Sequence, residues 1–273
     1  MAGTGKKWLI GCGVGCGGAI LLVILVSIGA SIFMMRPFDK AIDAQKILIA
    51  DHGAREHYIP PVHGVTADRM QKFLAVRRAV LPQCAQFAAI TEKFEAMEEL
   101  DRGGDEPSKG EVFKAVGGLM GSIFGMVGDM GEFIRVRNAA LVEQEMGLGE
   151  YIWIYVLVYH SWLQHPPSTS FEESAGGTGM SDADRRLLQT LTANYAEAFG
   201  EVGREAEAEM WAAESARMER SETGVPFGDG GLPPAVVADF EPYREELEAL
   251  YCAATANLEL NRIKKKGLSI HSE

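Results

Sequence analysis

The sequence predicts an all-α protein, one N-terminal transmembrane helix followed by a soluble multi-helix bundle. Three observations carry that expectation. An uncharged stretch of 28 residues, 8–35, stands near the amino terminus. Past it, apolar residues recur at spacings of three and four, the period of a helix with one buried face. Neither strict apolar–polar alternation nor a β-hairpin signal interrupts the pattern.

Composition excludes several classes and selects none. Apolar residues make up 47% and charged residues 23%, ordinary for a chain that folds around a core. A net charge of −12 argues against nucleic acid as a partner, because phosphate contacts need clustered Lys and Arg. Four cysteines in 273 residues are too few for a disulfide scaffold.

The stretch from Trp8 to Met35 exceeds the roughly 20 residues that a helix needs to cross a hydrocarbon core. Lys6 and Lys7, in a short polar tail 1–7, precede it and Arg36 follows. A cleaved signal peptide fits less well: its apolar region is shorter, and Ile28-Gly29-Ala30 is a poor cleavage site. Leu9-Ile10-Gly11-Cys12 resembles a lipoprotein box, but Lys7 stands too close to Cys12 to leave an apolar region. Gly13-Val14-Gly15-Cys16-Gly17-Gly18 matches G-x-G-x-x-G, yet Ala19 to Met35 is apolar all round and no second strand follows, so a dinucleotide site is not expected. The glycines read better as packing residues. Gly11, Gly15 and Ala19 repeat every four positions, as do Gly13 and Gly17, and small residues at that spacing let a second helix approach closely. Cys12 and Cys16 share a face and read as packing residues too. The expected partners are therefore the membrane and either other integral subunits or a second copy of the chain.

Positive charges nearly tie across the stretch, with Lys6 and Lys7 facing Arg36, Lys40 and Lys46. The dibasic start favours a cytoplasmic amino terminus, with the large domain outside the inner (plasma) membrane of a bacterium. Cys84 and Cys252 would then meet an oxidising compartment, their pairing left open.

Residues 36–273 carry 24 Lys and Arg against 38 Asp and Glu. Segment 36–64 reads as a juxtamembrane helix, Phe38 to about Arg55, closed by the Pro60-Pro61 turn. Segment 65–165 opens with Thr66 as an N-cap and Val65 and Met70 as a hydrophobic staple. Met70, Phe73, Leu74, Val80, Leu81, Cys84, Phe87, Phe94 and Met97 then mark a helix over about 67–100, with Pro82 as its kink. Asp101 to Gly110 is a turn by composition. The glycine-rich segment 115–131 begins with 14 uncharged residues, 115–128, too few to span a bilayer, and is expected to pack closely on a neighbouring helix. Phe133 to Glu145 resumes a helix, which Met146 to Gly149 interrupts. Residues 151–163, YIWIYVLVYHSWL, are apolar nearly all round and form the central core helix. His165-Pro166-Pro167 ends it. A mobile loop, 166–181, leads to Ser181 as the cap of an acidic amphipathic helix over 182–222. A Gly/Pro loop, 223–234, leads to a C-terminal helix over 235–266 with Pro242 in its first turn, and residues 267–273 form a tail. Arg262, Lys264, Lys265 and Lys266 close that last helix at its negative end.

No constellation of chemical groups stands out. His52 and Glu56 are one helical turn apart, with His57 beside them, but two ligands on one face do not make a metal site. His160 lies among Trp153, Tyr155, Tyr159 and Trp162, where a haem-type ligand is the sharp reading and a hydrogen-bonded core histidine the ordinary one. Glu197, Glu201, Glu205 and Glu209 form a stripe at i+4 spacing, read as a solvated face or as a surface for a basic partner or a divalent cation. There is no nucleophile elbow, H-E-x-x-H, P-loop or EF-hand loop. No cofactor is expected. The sequence thus points to a non-catalytic accessory or structural subunit of a larger membrane complex, with respiratory and photosynthetic assemblies as natural hosts. The alternatives are a tethered sensor or ligand-binding module and an envelope enzyme with scattered catalytic residues.

Overall fold

A computed structural model describes residues 39–102, 128–167, 180–221, 223–228 and 231–261. The predicted anchor 8–35, with Gly11, Gly13, Gly15, Gly17 and Ala19, lies outside the described residues. So do nearly all of the uncharged run 115–128, most of the loop 166–181 and the basic residues 262–266. Among the described residues every regular element is helical, and none is long and apolar enough to cross a membrane.

The chain enters as helix α1 over 39–52, which buries Ala41 and Leu48. Gly53, at φ +77°, stops it, because the left-handed region is open to glycine without a Cβ penalty. A 3-10 turn, Arg55–His57, follows. Helix α2, Ala67–Arg102, starts where the Arg69 amide donates to the Thr66 hydroxyl at 3.4 Å, and it passes through Pro82 as one helix. Its buried face is Met70, Phe73, Leu74, Val76, Arg77, Val80 and Phe87.

Helix α3 over 128–143 buries Phe133, Ile134, Arg137, Ala140 and Leu141. It ends in a left-handed cap. Glu145 takes φ +49°, and the Met146 amide reaches back to the Leu141 carbonyl at 3.0 Å. Helix α4, Leu148–Tyr155, continues directly into a π-helix, Val156–Trp162. From Tyr151 to Ser161 every residue is buried, so the uniform apolarity of this segment marks the centre of the bundle, as its sequence predicts.

The expected single helix 182–222 is instead a helical hairpin: α5, Asp182–Glu201, and α6, Glu205–Met218. The Ser181 hydroxyl caps α5 by accepting from the Asp184 amide, as expected. The break comes at Gly203, φ +74°. Its amide donates to the Gly200 carbonyl, and the Arg204 amide donates to Phe199. That is the Schellman arrangement, and Arg204 completes it by laying its guanidinium over the Phe199 ring at 4.6 Å. The turn lets Trp211 of α6 pack back on Tyr195 of α5 and Trp153 of α4.

The expected helix 235–266 is also divided. It comprises α7, Pro234–Phe240, a 3-10 turn Glu241–Tyr243, α8, Arg244–Ala249, a second 3-10 turn Ala253–Thr255, and α9, Ala256–Glu259. Pro242 supplies no amide for the helix, and Cys252 is extended at φ −135°, ψ 106°.

Two apolar clusters hold the bundle. The larger surrounds α4 and the π-helix. The smaller joins Ala41 of α1, Val80 and Phe87 of α2, Phe133 and Ile134 of α3, and Leu258 of α9.

Candidate functional site

The densest gathering of buried polar groups lies between these clusters, where the last described turns of the chain meet α2, α3 and α4. Short helices leave orphan carbonyls at their carboxyl ends. Here arginines from distant elements satisfy them. Arg77 of α2 donates to the Leu250 carbonyl behind α8 at 2.8 Å and to the Tyr151 hydroxyl at 3.0 Å. Its guanidinium also pairs with the Glu259 carboxylate. Tyr151 donates to the other Glu259 oxygen at 2.6 Å. The guanidinium lies over the rings of Tyr155 and Tyr159, at 5.1 and 5.3 Å.

Arg137 of α3 serves the next turn. It donates to the carbonyls of Leu258 (2.8 Å), Glu259 (2.7 Å) and Asn261 (2.7 Å). Asn138 receives it through Oδ1 and passes its own amide to the Ala41 carbonyl at 3.2 Å. Arg55 donates to the Leu260 carbonyl. The Cys84–Cys252 disulfide, Cα atoms 5.9 Å apart, fastens the same segment to α2. Segment 250–261 is thus held by three guanidinium groups and one covalent bond.

The electrostatics follow from burial and charge. Burial alone pulls the Arg77 guanidinium down, but the Glu259 carboxylate and the surrounding tyrosines outweigh it and hold its pKa well above the ordinary value. Burial lowers Arg137, with Glu259 opposing. Burial raises the Tyr151 phenol well above its usual range, so it stays a neutral donor. Both oxygens of Glu259 are engaged and its side chain has no exposure to solvent, so this carboxylate is arranged to hold segment 250–261. The buried Arg77 Nε and Tyr155 hydroxyl have no hydrogen-bond partner among the described residues.

The chain matches no protein-family model, and no curated protein or solved structure is significantly similar to it. Its function is therefore argued from its own residues.

His160 is buried at 4% exposure, and its Nδ1 lies 2.8 Å from the His165 carbonyl. Burial lowers its pKa to about 4, so the ring is neutral at pH 7 and donates through Nδ1 to that carbonyl. This is the hydrogen-bonded core histidine, its edge set against Tyr155.

His52, Glu56 and His57 do not share a helical face. His52 ends α1 and packs on Gly147, the helix stops at Gly53, and Glu56 pairs with Arg55 in the 3-10 turn. Among the described residues no group of three His, Cys, Asp or Glu side chains is placed to hold a metal ion. The expected four-carboxylate stripe is likewise divided, because the turn at Gly203 puts Glu197 and Glu201 on α5 and Glu205 and Glu209 on α6. All four are exposed. A nearby carboxylate outside that stripe, Glu214, is buried, pairs with Arg217 and accepts the Phe227 amide, fixing the loop after α6. A surface depression bordered by Glu241 to Glu246 draws its walls from one consecutive stretch, unlike a ligand site, whose polar groups converge from several elements.

Sequence reasoning missed Arg77, Arg137 and Glu259. A signal was present for the first two: each occupies a core position of an otherwise apolar stripe, between Leu74 and Val80, and between Ile134 and Ala140. A lone cation there marks a buried guanidinium that requires acceptors.

Proposed function

We propose that the chain is a non-catalytic, single-pass membrane-anchored subunit of a larger membrane assembly, with its helical domain on the oxidising side of a bacterial inner membrane. The observation that carries the non-catalytic reading is the mutual engagement of four buried ionisable groups. Arg77, Arg137, Tyr151 and Glu259 are directed at one another and at the carbonyls of segment 250–261, the arrangement of a structural tie. The membrane part rests on the uncharged stretch 8–35 and its small-residue face, Gly11, Gly15 and Ala19 with Gly13 and Gly17. The Cys84–Cys252 disulfide supports the location, because disulfides persist outside the reducing cytoplasm. No cofactor enters this reading.

The test is extraction from native membranes in mild detergent, followed by native-gel separation and identification of co-migrating proteins. Migration in a reproducible assembly supports the reading, and the neighbours name the process. Migration as a lone chain in its detergent micelle overturns it. Gly15→Leu probes the docking face: undiminished association would show that the small-residue face is not the interface.

A further inference from the structure

Helix α2 grips segment 250–261 at two neighbouring places. Arg77 donates to the Leu250 carbonyl, and about two helical turns further along the same face Cys84 is bonded to Cys252. The two sulfurs lie in different surroundings. Cys252 is enclosed, at 3% exposure, and the 3-10 turn Ala253–Thr255 that follows it lies against α2. Cys84 is half-buried, and Pro82, Ala85 and Gln86 around it are exposed.

Thiol–disulfide exchange goes to the sulfur that an incoming thiolate can reach, so the two cysteines have unequal parts in it. A small thiolate attacks Sγ of Cys84. The Cys84–Cys252 bond breaks, a mixed disulfide forms on Cys84, and Cys252 leaves as the thiolate and takes a proton from solvent. A second thiolate then attacks the external sulfur of the mixed disulfide and frees Cys84. Two external thiols are thereby oxidised to one disulfide, and the protein bond takes up their two electrons. Noncovalent ties hold the segment meanwhile: Leu250 to Arg77, Glu259 to Arg77 and Tyr151, and the carbonyls of Leu258, Glu259 and Asn261 to Arg137. Cys252 therefore stays beside Cys84 at a high effective concentration, placed to return and expel the external thiol.

We propose that Cys84 is the exchange site of this chain, the sulfur through which small thiols open the bond and small disulfides remake it, with Cys252 as the enclosed resolving cysteine. The inference goes beyond the subunit reading and does not depend on the membrane anchor.

The experiment uses the full chain in detergent, first treated with N-ethylmaleimide, which blocks free thiols such as Cys12 and Cys16 and spares the disulfide. Reduced glutathione is added for short times, acid stops the exchange, and peptic mapping in acid reports which cysteine carries glutathione. In the folded chain glutathione is expected on Cys84 in at least about tenfold excess over Cys252, and in the urea-unfolded chain on both about equally. Cys252→Ser, which has no cysteine to return, is expected to keep a glutathione adduct on Cys84 at least about tenfold longer than the unmodified chain does. A folded-chain ratio equal to that in urea overturns the inference, as does an excess on Cys252. A bond that resists glutathione until the chain unfolds overturns it too, because neither sulfur is then an entry point in the fold. Equal adduct lifetimes in Cys252→Ser and the unmodified chain overturn the resolving role of Cys252.

Discussion

Arg77 and Glu259, 182 residues apart in the chain, form an ion pair in which neither side chain reaches solvent. Their contact closes α2 onto the last described turn, and Tyr151 bridges the two by hydrogen bonding to both. A buried pair of this kind contributes little beyond what a well-packed apolar pair would, but breaking it leaves an uncompensated charge. Arg137 adds a second buried guanidinium to the same turn, its charge met chiefly by the backbone carbonyls of Leu258, Glu259 and Asn261.

Removing one partner should therefore cost more than removing both. Glu259→Gln is expected to destabilise the domain by about 3–5 kcal/mol, whereas the double variant Arg77→Met/Glu259→Leu recovers part of that loss. Thermal melting of the full chain in detergent, followed by circular dichroism, provides the comparison. A Glu259→Gln melting temperature equal to that of the unmodified chain would contradict the buried-pair account.

The Cys84–Cys252 bond closes a loop with a sequence separation of 168 residues and pins the extended link between α8 and α9. Reduction is expected to lower stability by about 2–5 kcal/mol and to speed amide exchange in segment 250–261 before the rest of the bundle. Mobility on gels with and without dithiothreitol shows whether the bond is present. Exchange rates in 250–261 that do not respond to reduction would show that the arginine contacts alone hold the segment.

His160 makes stability depend on acid in a defined window. Its pKa is about 4 in the folded protein because burial disfavours the imidazolium, and it returns to about 6.5 on unfolding. The unfolded chain therefore binds the extra proton between those values. Stability is full above about pH 6.5 and falls as pH drops toward 4, by as much as about 3 kcal/mol from this group. A direct check is the His160 ring resonance in an NMR titration, expected to remain that of the neutral ring at pH 5. A midpoint near 6.5 would place the ring in solvent.

Two glycines close together in sequence should respond oppositely to alanine. Gly203 sits at φ +74°, where a Cβ is strained, so Gly203→Ala is expected to cost about 1 kcal/mol. Gly200 is helical, and a Cβ there would meet the Ala208 side chain at an ordinary 4.0 Å, so Gly200→Ala should be neutral or stabilising by up to about 1 kcal/mol. Urea unfolding of the two variants decides the matter. Equal effects would mean that the hairpin turn is not where the structure places it.

Much of the helical plan was legible from local pattern. Of the positions read as one apolar face, Met70, Phe73, Leu74, Val80 and Phe87 are buried, whereas Leu81 and Cys84 are half-buried. The apolarity of 151–163 was read as a core helix, and Tyr151 to Ser161 is enclosed on all sides. Thr66 and Ser181 begin their helices as their hydroxyls suggested. What failed were continuity and pairing. The single helix expected over 182–222 ran on through Gly203, because a short turn between antiparallel helices leaves both apolar faces toward the same core. The C-terminal apolar positions likewise suggested one helix, although Pro242 and Cys252 divide it.

Taken alone, the sequence determined the helical class, the enclosed aromatic helix at the centre and the acidic balance of the surface, because each follows from residue type and from a pitch of 3.6 residues. The core positions of Arg77 and Arg137 along their apolar stripes were a signal in it that went unread. Only the tertiary structure decided that these cations meet Glu259 and the carbonyls of segment 250–261, and that Cys84 meets Cys252. Those contacts join residues more than a hundred positions apart, and nothing in local periodicity specifies which buried cation will find which distant acceptor.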